Sequence, residues 1–593
     1  MKESRVNLEH SNLGGIDPIV LETNIFLENN IFQERAEKLE KDDIFNWMSL
    51  TEKDNQIIKK LVNNSTKLLI GPRGAGKSML MKWAYYTSLK ESEILPIYVN
   101  FEKYLHIEPL LYNASNGNSI FVNWVLAKLV IETKTSLLEC NKYDAEQFEG
   151  LVLKHFETST SDLKRLVYTL EGGVLGREKF KEIGQIELSV GNVLEFIGEL
   201  IKLTNRQRAV LLLDDAAHAF SSELQKEFFE LFRILKSKEV TAKAAVYPGL
   251  TTYSPYFNIG HDALFLEAGY SPSQNRYVEF CDELLRKRLG AEKYSILNKK
   301  REGLLMLYYA ANGIPRALIV MSEYLLNDEQ SKTSINNTKY YEAVNEWIST
   351  VEHFHSSLKS RLPRYQNFIN TGIELLNIIL EEIKQLNRNK EPDRKFVYFA
   401  LSTPMPTELE KVLQILEYAG LVTQDKDISK GTKGVFKRYM IHLGKIIQSN
   451  TLAQGKTKTF DYISECLQKI KTRQFKRFNS TSLFTEEMIE KCKFELPPCS
   501  HCGKQRIFEE AKFCAYCGSE LKSASLFLEL IEQDISALPL TSKRVQMIKT
   551  GSNIITIKDI LMDDNGVELK KVKGIQGYWA QKIKDYAEEF IGG

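Results

Sequence analysis

The sequence contains no long hydrophobic run. No segment approaches the ~18 consecutive apolar residues that span a bilayer, and no apolar stretch follows the polar start Met1–Ser4. These absences argue against membrane spans and against a secretory leader. We therefore expect a cytoplasmic protein with no membrane partner.

Net charge and a disulfide framework are also lacking. The 79 Lys and Arg residues nearly balance the 77 Asp and Glu residues, so the net charge of +2 indicates no particular partner. Four of the eight cysteines are scattered, and no disulfide is needed to explain them (Cys140, Cys281, Cys466, Cys492). With 593 residues the chain is too long for one core, so about three to five domains are expected.

A glycine-rich segment matches the phosphate-binding pattern G-x-x-x-x-G-K-[ST] at every fixed position. An apolar strand pattern (67–70) precedes it and a helical pattern begins at Met79, which is the order that phosphate binding requires. The pattern predicts that ATP is held by the loop, with Lys77 at the β- and γ-phosphates and Ser78 on Mg²⁺. The predicted nucleotide-binding residues are Gly71, Pro72, Arg73, Gly74, Ala75, Gly76, Lys77 and Ser78.

A second nucleotide signal is the continuous apolar run 209–213, which ends in Asp214 and Asp215. Such a run is typical of a central parallel strand, whose carboxyl end faces the phosphates. We predict that Asp214 holds Mg²⁺ through water and that Asp215 orients or deprotonates the attacking water. A buried strand followed by an Asp-led turn remains the alternative.

Two later segments complete a family resemblance. A strand pattern (242–247) ends in a Pro-Gly turn, and Gly313-Ile314-Pro315-Arg316 opens a helical pattern. Together with the loop and the acidic strand, this order resembles the AAA+ ATPases of the origin-recognition-complex-like and STAND-like branches, over about residues 40–450. The resemblance implies that Arg316 is the sensor-2 arginine at the γ-phosphate, and a structural salt bridge at a helix start is the alternative.

Two departures from the family pattern favour slow hydrolysis or a switch over a fast motor. The sensor-1 strand ends in Tyr247-Pro248, where a polar side chain is usual, and the second acid is Asp215 instead of glutamate.

Helical patterns at 365–386 and 407–419, followed by strand patterns at 421–423 and 436–441, resemble a winged helix. Between 420 and 480 there are 13 Lys and Arg residues against 4 Asp and Glu residues, which indicates a polyanion partner. We predict DNA contacts at Lys433, Lys437 and Arg438. A packing domain that contacts no nucleic acid is the alternative.

Two C-x-x-C-G segments predict a zinc ribbon. Four thiolates (Cys499, Cys502, Cys514, Cys517) satisfy one tetrahedral Zn²⁺ and leave no open position, so the site is expected to be structural. A redox thiol pair is the alternative. The sequence does not indicate whether the ribbon binds DNA or protein.

Near the C-terminus, apolar positions at helical spacing flank the hairpin pattern Gly574-Ile575-Gln576-Gly577. With the preceding helical patterns, the segment from about Leu538 resembles the C-terminal domain of the bacterial RNA polymerase α subunit, with a helix-hairpin-helix motif. We predict that the hairpin contacts DNA phosphates through Lys573, Gly574, Gly577 and Lys582, although such domains also bind proteins.

The expected fold is multidomain α/β. The expected domains are an N-terminal extension (1–50), an AAA+ parallel-sheet core (51–300), a helical lid (301–364), a winged helix (365–450), a basic linker (451–496), a zinc ribbon (497–522) and an all-α helix-hairpin-helix domain (523–593). The predicted function is an ATP-dependent, DNA-binding switch that uses ATP, Mg²⁺ and Zn²⁺, in bacterial genome maintenance or anti-phage defence. The alternative is a STAND-like signalling switch with a protein effector, and a homo-oligomer sharing the ATP site is compatible with either.

Overall fold

The computed structural model describes most of the chain. The described residues are 35–108, 117–172, 186–216, 222–326, 335–429, 434–453, 459–494, 498–499, 501–505, 513–519, 521 and 526–592. Lys433 and residues 1–34 of the expected N-terminal extension lie outside them. Within these ranges, every helix is too short or too polar to cross a bilayer.

A parallel sheet of five strands forms the first part of the fold. Its spatial order is β2-β3-β4-β1-β5, and all neighbouring strands run in the same direction. Along β3, Leu211 and Leu213 pack on one face and Val210 and Leu212 on the other, as expected for a strand buried on both sides. The strands are β1 (Lys67–Ile70), β2 (Ile94–Asn100), β3 (Arg208–Asp214), β4 (Val240–Val246) and β5 (Leu264–Glu267).

Helices cover both faces of this sheet. One face packs on an aromatic cluster that includes Trp124, Phe196 and Phe228, and the other on Leu61 and Leu80. The α/β class predicted from the sequence is confirmed. The helices are α1 (Lys41–Trp47), α2 (Glu52–Leu61), α3 (Lys77–Leu89), α4 (Gly117–Glu139), α5 (Ala145–Phe156), α6 (Thr160–Glu171), α7 (Val190–Leu203) and α8 (Ser222–Ile234).

Four helices follow the first sheet. Helix α9 is kinked at Gly290, which has φ of +74°. We call α10–α12 the lid. The bounds are α9 (Tyr277–Asn298), α10 (Arg301–Ala310), α11 (Pro315–Leu326) and α12 (Asn337–Arg361).

A second, mixed sheet packs against the lid through one continuous hydrophobic cluster. Its order is β10-β6-β9-β7, with β8 paired to β9; β10 and β6 are parallel, whereas β9 is antiparallel to its partners. Its strands are β6 (Tyr398–Ser402), β7 (Val422–Gln424), β8 (Ile428–Ser429), β9 (Val435–Ile441) and β10 (Phe475–Phe478). The accompanying helices are α13 (Gln366–Asn387), α14 (Thr407–Tyr418), α15 (Leu443–Gln448), α16 (Phe460–Gln468), α17 (Ser480–Leu483) and α18 (Glu486–Lys491).

The segment expected as a basic linker (451–496) is largely folded. It supplies α16, α17 and α18, and it supplies β10, which pairs with β6 in register from Phe475 to Phe478. The physical reason is that the Phe478 side chain is buried in the common hydrophobic cluster while the neighbouring Lys476 pairs with Glu382 of α13. The Lys and Arg residues of this segment therefore make a strand difficult to predict from its composition.

The C-terminal residues form an all-helical domain with its own hydrophobic cluster, as the sequence predicts. The backbone N–H of Phe527 in this domain donates a hydrogen bond of 2.8 Å to the buried Glu108 carboxylate, which follows β2 of the first sheet. The C-terminal domain is therefore in contact with the domain of the first sheet. The helices are α19 (Leu526–Ile531), α20 (Ser542–Gly551), α21 (Ile557–Met562), α22 (Val567–Lys570) and α23 (Gly577–Gly592).

Candidate nucleotide site and associated centres

The glycine loop lies between β1 and α3, at the carboxyl edge of the first sheet. Gly74 and Gly76 have φ of +78° and +85°, the left-handed region that favours glycine. A Cβ on Gly74 would lie 3.0 Å from side-chain carbons of Ile314 and Arg316. The glycines therefore permit both the turn and the close approach of the lid to the loop.

Lys77, the first residue of α3, points into the loop. Its Nζ donates to the carbonyl oxygens of Gly71 (2.8 Å) and Pro72 (3.2 Å) and lies 3.7 Å from the Tyr247 ring centroid. Burial lowers the pKa of Lys77 to about 7, although the nearby aspartates oppose the shift. The carbonyl contacts are weak substitutes for anionic oxygens, so the environment of this lysine suits a phosphate ligand.

The two predicted acids lie where β3 ends. Asp214 is fully buried and accepts a hydrogen bond from the Tyr98 hydroxyl at 2.8 Å. Asp215 has φ of +53° and accepts a hydrogen bond from the Tyr247 hydroxyl at 3.1 Å. Burial and the Asp215 charge raise the pKa of Tyr247, so its hydroxyl is protonated and donates.

No sequence pattern points to Tyr98, and Tyr247 stands out only as a departure from the family pattern. The structure places a polar group at the end of β4 after all, because the long Tyr247 side chain carries its hydroxyl to Asp215. Tyr98 lies on β2 beside β3, with its hydroxyl at Asp214. Finding Tyr98 requires knowing that β2 lies next to β3, and patterns in a single sequence do not show which strands are neighbours.

Arg316 lies at the start of α11 and faces the loop. Its Nη1 is 2.7 Å from Glu589 Oε1, and Nη2 of Arg73 is 2.9 Å from the same oxygen. Burial alone would raise the pKa of Glu589, but Arg73, Arg316 and Arg35 hold it well below its usual range. The salt-bridge alternative for Arg316 thus describes this structure, with a partner 273 residues away in the sequence.

A cavity of about 170 Å³ lies above the loop and connects these groups. Its lining includes the cations Lys77, Arg73 and Arg316 together with Asp215. Apolar side chains that suit a nucleobase also line it: Leu39, Trp47, Met48, Phe280 and Leu284.

The four clustered cysteines meet as the ribbon prediction requires. Their Sγ atoms all lie within 4.8 Å of one another, with Cys499–Cys517 and Cys502–Cys514 separations of 3.6 Å. Four sulfurs bound at about 2.3 Å to a tetrahedral zinc would lie about 3.8 Å apart. The geometry therefore fits one Zn²⁺.

The predicted DNA-contact residues of the second sheet lie in ion pairs. Lys437 Nζ is 2.9 Å from Glu410, and Arg438 Nη2 is 2.6 Å from Asp425. Arg438 also donates to the Thr472 carbonyl oxygen at 2.6 Å. Contacts of these residues with DNA stay a prediction, and in this structure both cations are engaged within their own module.

The C-terminal hairpin is divided between exposed and covered residues. Lys573, Gly574 and Gly577 are exposed, and Gly574 has φ of +90°. Lys582 instead lies against the lid, 2.8 Å from Glu323, with 12% of its side chain exposed. The hairpin backbone is thus accessible while one of its predicted cations is not.

One family profile matches most of the chain. The ORC-CDC6-like family profile matches residues 29–401, well over half of the chain. The chain belongs to the ORC-CDC6-like family. Its AAA+ assignment, predicted from the loop, the acidic strand and Arg316, is confirmed, and the match favours the origin-recognition branch of that prediction. Family membership also suggests ATPase activity.

The comparison with solved structures gives matches of low similarity, two of which are described here. The Walker-type ATPase PABY2304 of Pyrococcus abyssi is 16% identical, with a TM-score of 0.36, covering 71% of this chain and 99% of its own. The Aeropyrum pernix Orc1 protein, solved in complex with DNA, is 15% identical, with a TM-score of 0.26 and coverages of 68% and 92%. The comparison with curated proteins finds no match.

Proposed function

We propose that this protein is an ATP-dependent, DNA-binding ATPase whose nucleotide state controls how DNA is held. One observation carries the nucleotide half of the proposal. The predicted catalytic side chains, which are far apart in the sequence, meet at the carboxyl edge of the first sheet, where parallel strands commonly bind ligands. They are Lys77, Asp214, Asp215 and Arg316.

Each side chain has a distinct role in this proposal. Lys77 contacts the β- and γ-phosphates, Ser78 and Asp214 hold Mg²⁺, and Arg316 reaches the γ-phosphate from the lid. Bound Mg²⁺ supplies positive charge that neutralises the phosphate oxygens. Asp215 orients the attacking water and accepts its proton. The hydrogen bond from the Tyr247 hydroxyl stabilises the ionised carboxylate and makes it a weaker base, which supports slow hydrolysis.

The DNA half of the proposal rests on the C-terminal hairpin and on local charge. The exposed Gly574 turn and Lys573 leave backbone N–H groups and a cation accessible to phosphates. The excess positive charge in residues 420–480 is a second candidate contact, but Lys437 and Arg438 would first have to exchange their acidic partners for phosphates. The zinc ribbon holds one structural Zn²⁺ in this proposal, and metal analysis of the purified chain should give about one zinc per molecule; a folded, metal-free chain would contradict it.

DNA binding with and without ATP tests the proposal. A labelled duplex is titrated at several salt concentrations, with particle size measured in parallel to detect a homo-oligomer. We expect ATP-dependent affinity, and Lys573→Gln should lower the salt slope by about one relative to wild type. Lys558→Gln, which removes an exposed cation paired with Glu532 in the same domain, is the matched control.

Two outcomes separate the proposal from its rival. If no DNA binds at modest salt with or without ATP, the DNA half fails, and a STAND-like switch with a protein effector takes its place. Nucleotide-dependent binding to DNA supports an origin-recognition-like protein. We infer its setting, bacterial genome maintenance or anti-phage defence, from the family resemblance alone.

A further inference from the structure

The last helix of the chain contacts the nucleotide cavity. Glu588 and Glu589 of α23 line this cavity together with the glycine loop. Glu589 Oε1 lies between the guanidinium groups of Arg73 and Arg316, at 2.9 and 2.7 Å. These arginines belong to the loop and to the lid, so a single carboxylate from the C-terminal domain connects both halves of the site.

The rest of the same helix face is matched to its surroundings. Lys582 Nζ lies 2.8 Å from Glu323 of the lid, and the Tyr578 hydroxyl donates to the same carboxylate. Further along, Asp585 contacts Lys38. Spacings of three and four residues place these side chains on one face of a helix. Docking therefore uses a continuous face of α23 and not one isolated contact.

The charge balance explains why a carboxylate is favoured at this position. Arg361 of α12 is also buried nearby, with its guanidinium 4.7 Å from the ring centroid of Phe590, and burial and Arg73 lower its pKa to about 9. Three arginines close together repel one another unless an anion lies among them. In this structure the anion is the ionised carboxylate of Glu589.

We propose that Glu589 and the γ-phosphate of a nucleoside triphosphate compete for Arg73 and Arg316, so that triphosphate binding releases the C-terminal domain from the nucleotide site. This inference rests on the proposed function. It adds that the domain restrains nucleotide binding in the docked state, and that its release exposes Lys582 beside the hairpin. By linkage, a ligand that binds only the released domain, such as DNA, tightens triphosphate binding by the same factor by which the triphosphate tightens binding of that ligand.

The first experiment uses the full-length chain with Glu589→Gln, which keeps the side-chain shape and removes its charge. Affinities for ATPγS and ADP are measured by titration calorimetry. We expect ATPγS to bind about tenfold more tightly than to wild type, whereas ADP, which lacks the γ-phosphate, changes by less than about twofold. The matched control is Glu532→Gln, an exposed carboxylate of the same domain that pairs with Lys558. Equal ATPγS affinity in the two variants would overturn the inference.

The second experiment measures release directly. Hydrogen exchange of the full-length chain follows the amides of residues 36–39, which adjoin α23, and those of α23 itself. We expect faster exchange in wild type with ATPγS but not with ADP, and in Glu589→Gln without nucleotide. Exchange that is identical in all these states would also overturn the inference.

A further variant covers the case in which Glu589→Gln does not fold, as judged by circular dichroism. Tyr578→Phe removes the hydroxyl that contacts Glu323, outside the nucleotide cavity, and keeps the aromatic ring. We expect it to tighten ATPγS binding by about threefold, and an unchanged affinity would count against the inference. If wild type and Glu589→Gln both fail to bind ATPγS, the proposed function itself is contradicted. If wild type binds and the variants match it, only the competition is contradicted.

Discussion

The two sheets of the molecule neutralise their positive charges in different ways. At the first sheet, Arg73 and Arg316 share the carboxylate of Glu589, which comes from another domain. At the second sheet, Lys437 and Arg438 pair with acids of the same module, Glu410 and Asp425. A pair within one module is formed whenever that module folds, whereas a pair between domains can be exchanged for another anion.

The difference has a consequence for energetics. Pairs of the second sheet such as Lys437 with Glu410 are partly exposed, and such pairs contribute at most about 1 kcal/mol each. Changes at the first sheet act on groups in a more enclosed cavity, where an uncompensated charge costs several times more. Charge substitutions should therefore have large effects on nucleotide binding at the first sheet and small effects on stability at the second.

The largest effect is expected from Lys77→Ala. In the proposed function, the Lys77 ammonium group leaves the loop carbonyl oxygens and contacts the phosphates when ATP binds. The variant lacks this cation, so we expect ATP affinity to fall by at least about 100-fold. Titration calorimetry with Mg-ATP measures it. Lys437→Ala, a lysine of the second sheet, is the matched control and should leave ATP affinity unchanged. An unchanged affinity in Lys77→Ala would remove the nucleotide site from the first sheet.

The second prediction is a variant that slows ATP hydrolysis but leaves ATP binding nearly unchanged. Asp215→Asn keeps the hydrogen bond from Tyr247 but cannot accept a proton from water, so ATP hydrolysis should slow by about 100-fold while ATP affinity changes little. Phosphate release under single-turnover conditions measures the rate. Asp425→Asn provides the comparison at the second sheet and should hydrolyse ATP at the wild-type rate. A normal rate in Asp215→Asn would assign the water to another group.

Sequence patterns identified the parts of the site that are local in the chain. The glycine loop and the end of β3 each carry a strand pattern beside their functional residues, so position along the sheet follows from the pattern itself. Arg316 needed the family resemblance as well. The sequence could not reveal Glu589, because its contact with Arg316 depends on how two domains dock, and nothing near residue 589 indicates a phosphate site.

Two other features were hidden for different reasons. Strand β10 lies in a segment whose Lys and Arg content predicts a basic linker, although Phe475 and Phe478 are compatible with a strand. The charge count over residues 420–480 does not include Glu410 on α14, which pairs with Lys437. A local count of charges overstates what remains accessible to DNA.

The smallest effect is expected from Asp425→Asn, which bears most directly on the difference between the sheets. The change removes the charge partner of Arg438 but leaves the hydrogen bond from Arg438 to the Thr472 carbonyl oxygen, so the arginine stays in place. Because the Asp425 side chain is 29% exposed, we expect a loss of about 1 kcal/mol in the free energy of unfolding, measured by denaturant titration. DNA affinity should rise by no more than about twofold, and ATP affinity should not move. The control is Glu382→Gln, which removes the charge partner of Lys476. Glu382 is more exposed than Asp425, so this variant should lose less free energy of unfolding. If Asp425→Asn altered ATP affinity as much as Glu589→Gln, charge at the second sheet would be coupled to the nucleotide, and the separation between local and exchangeable pairs would be wrong.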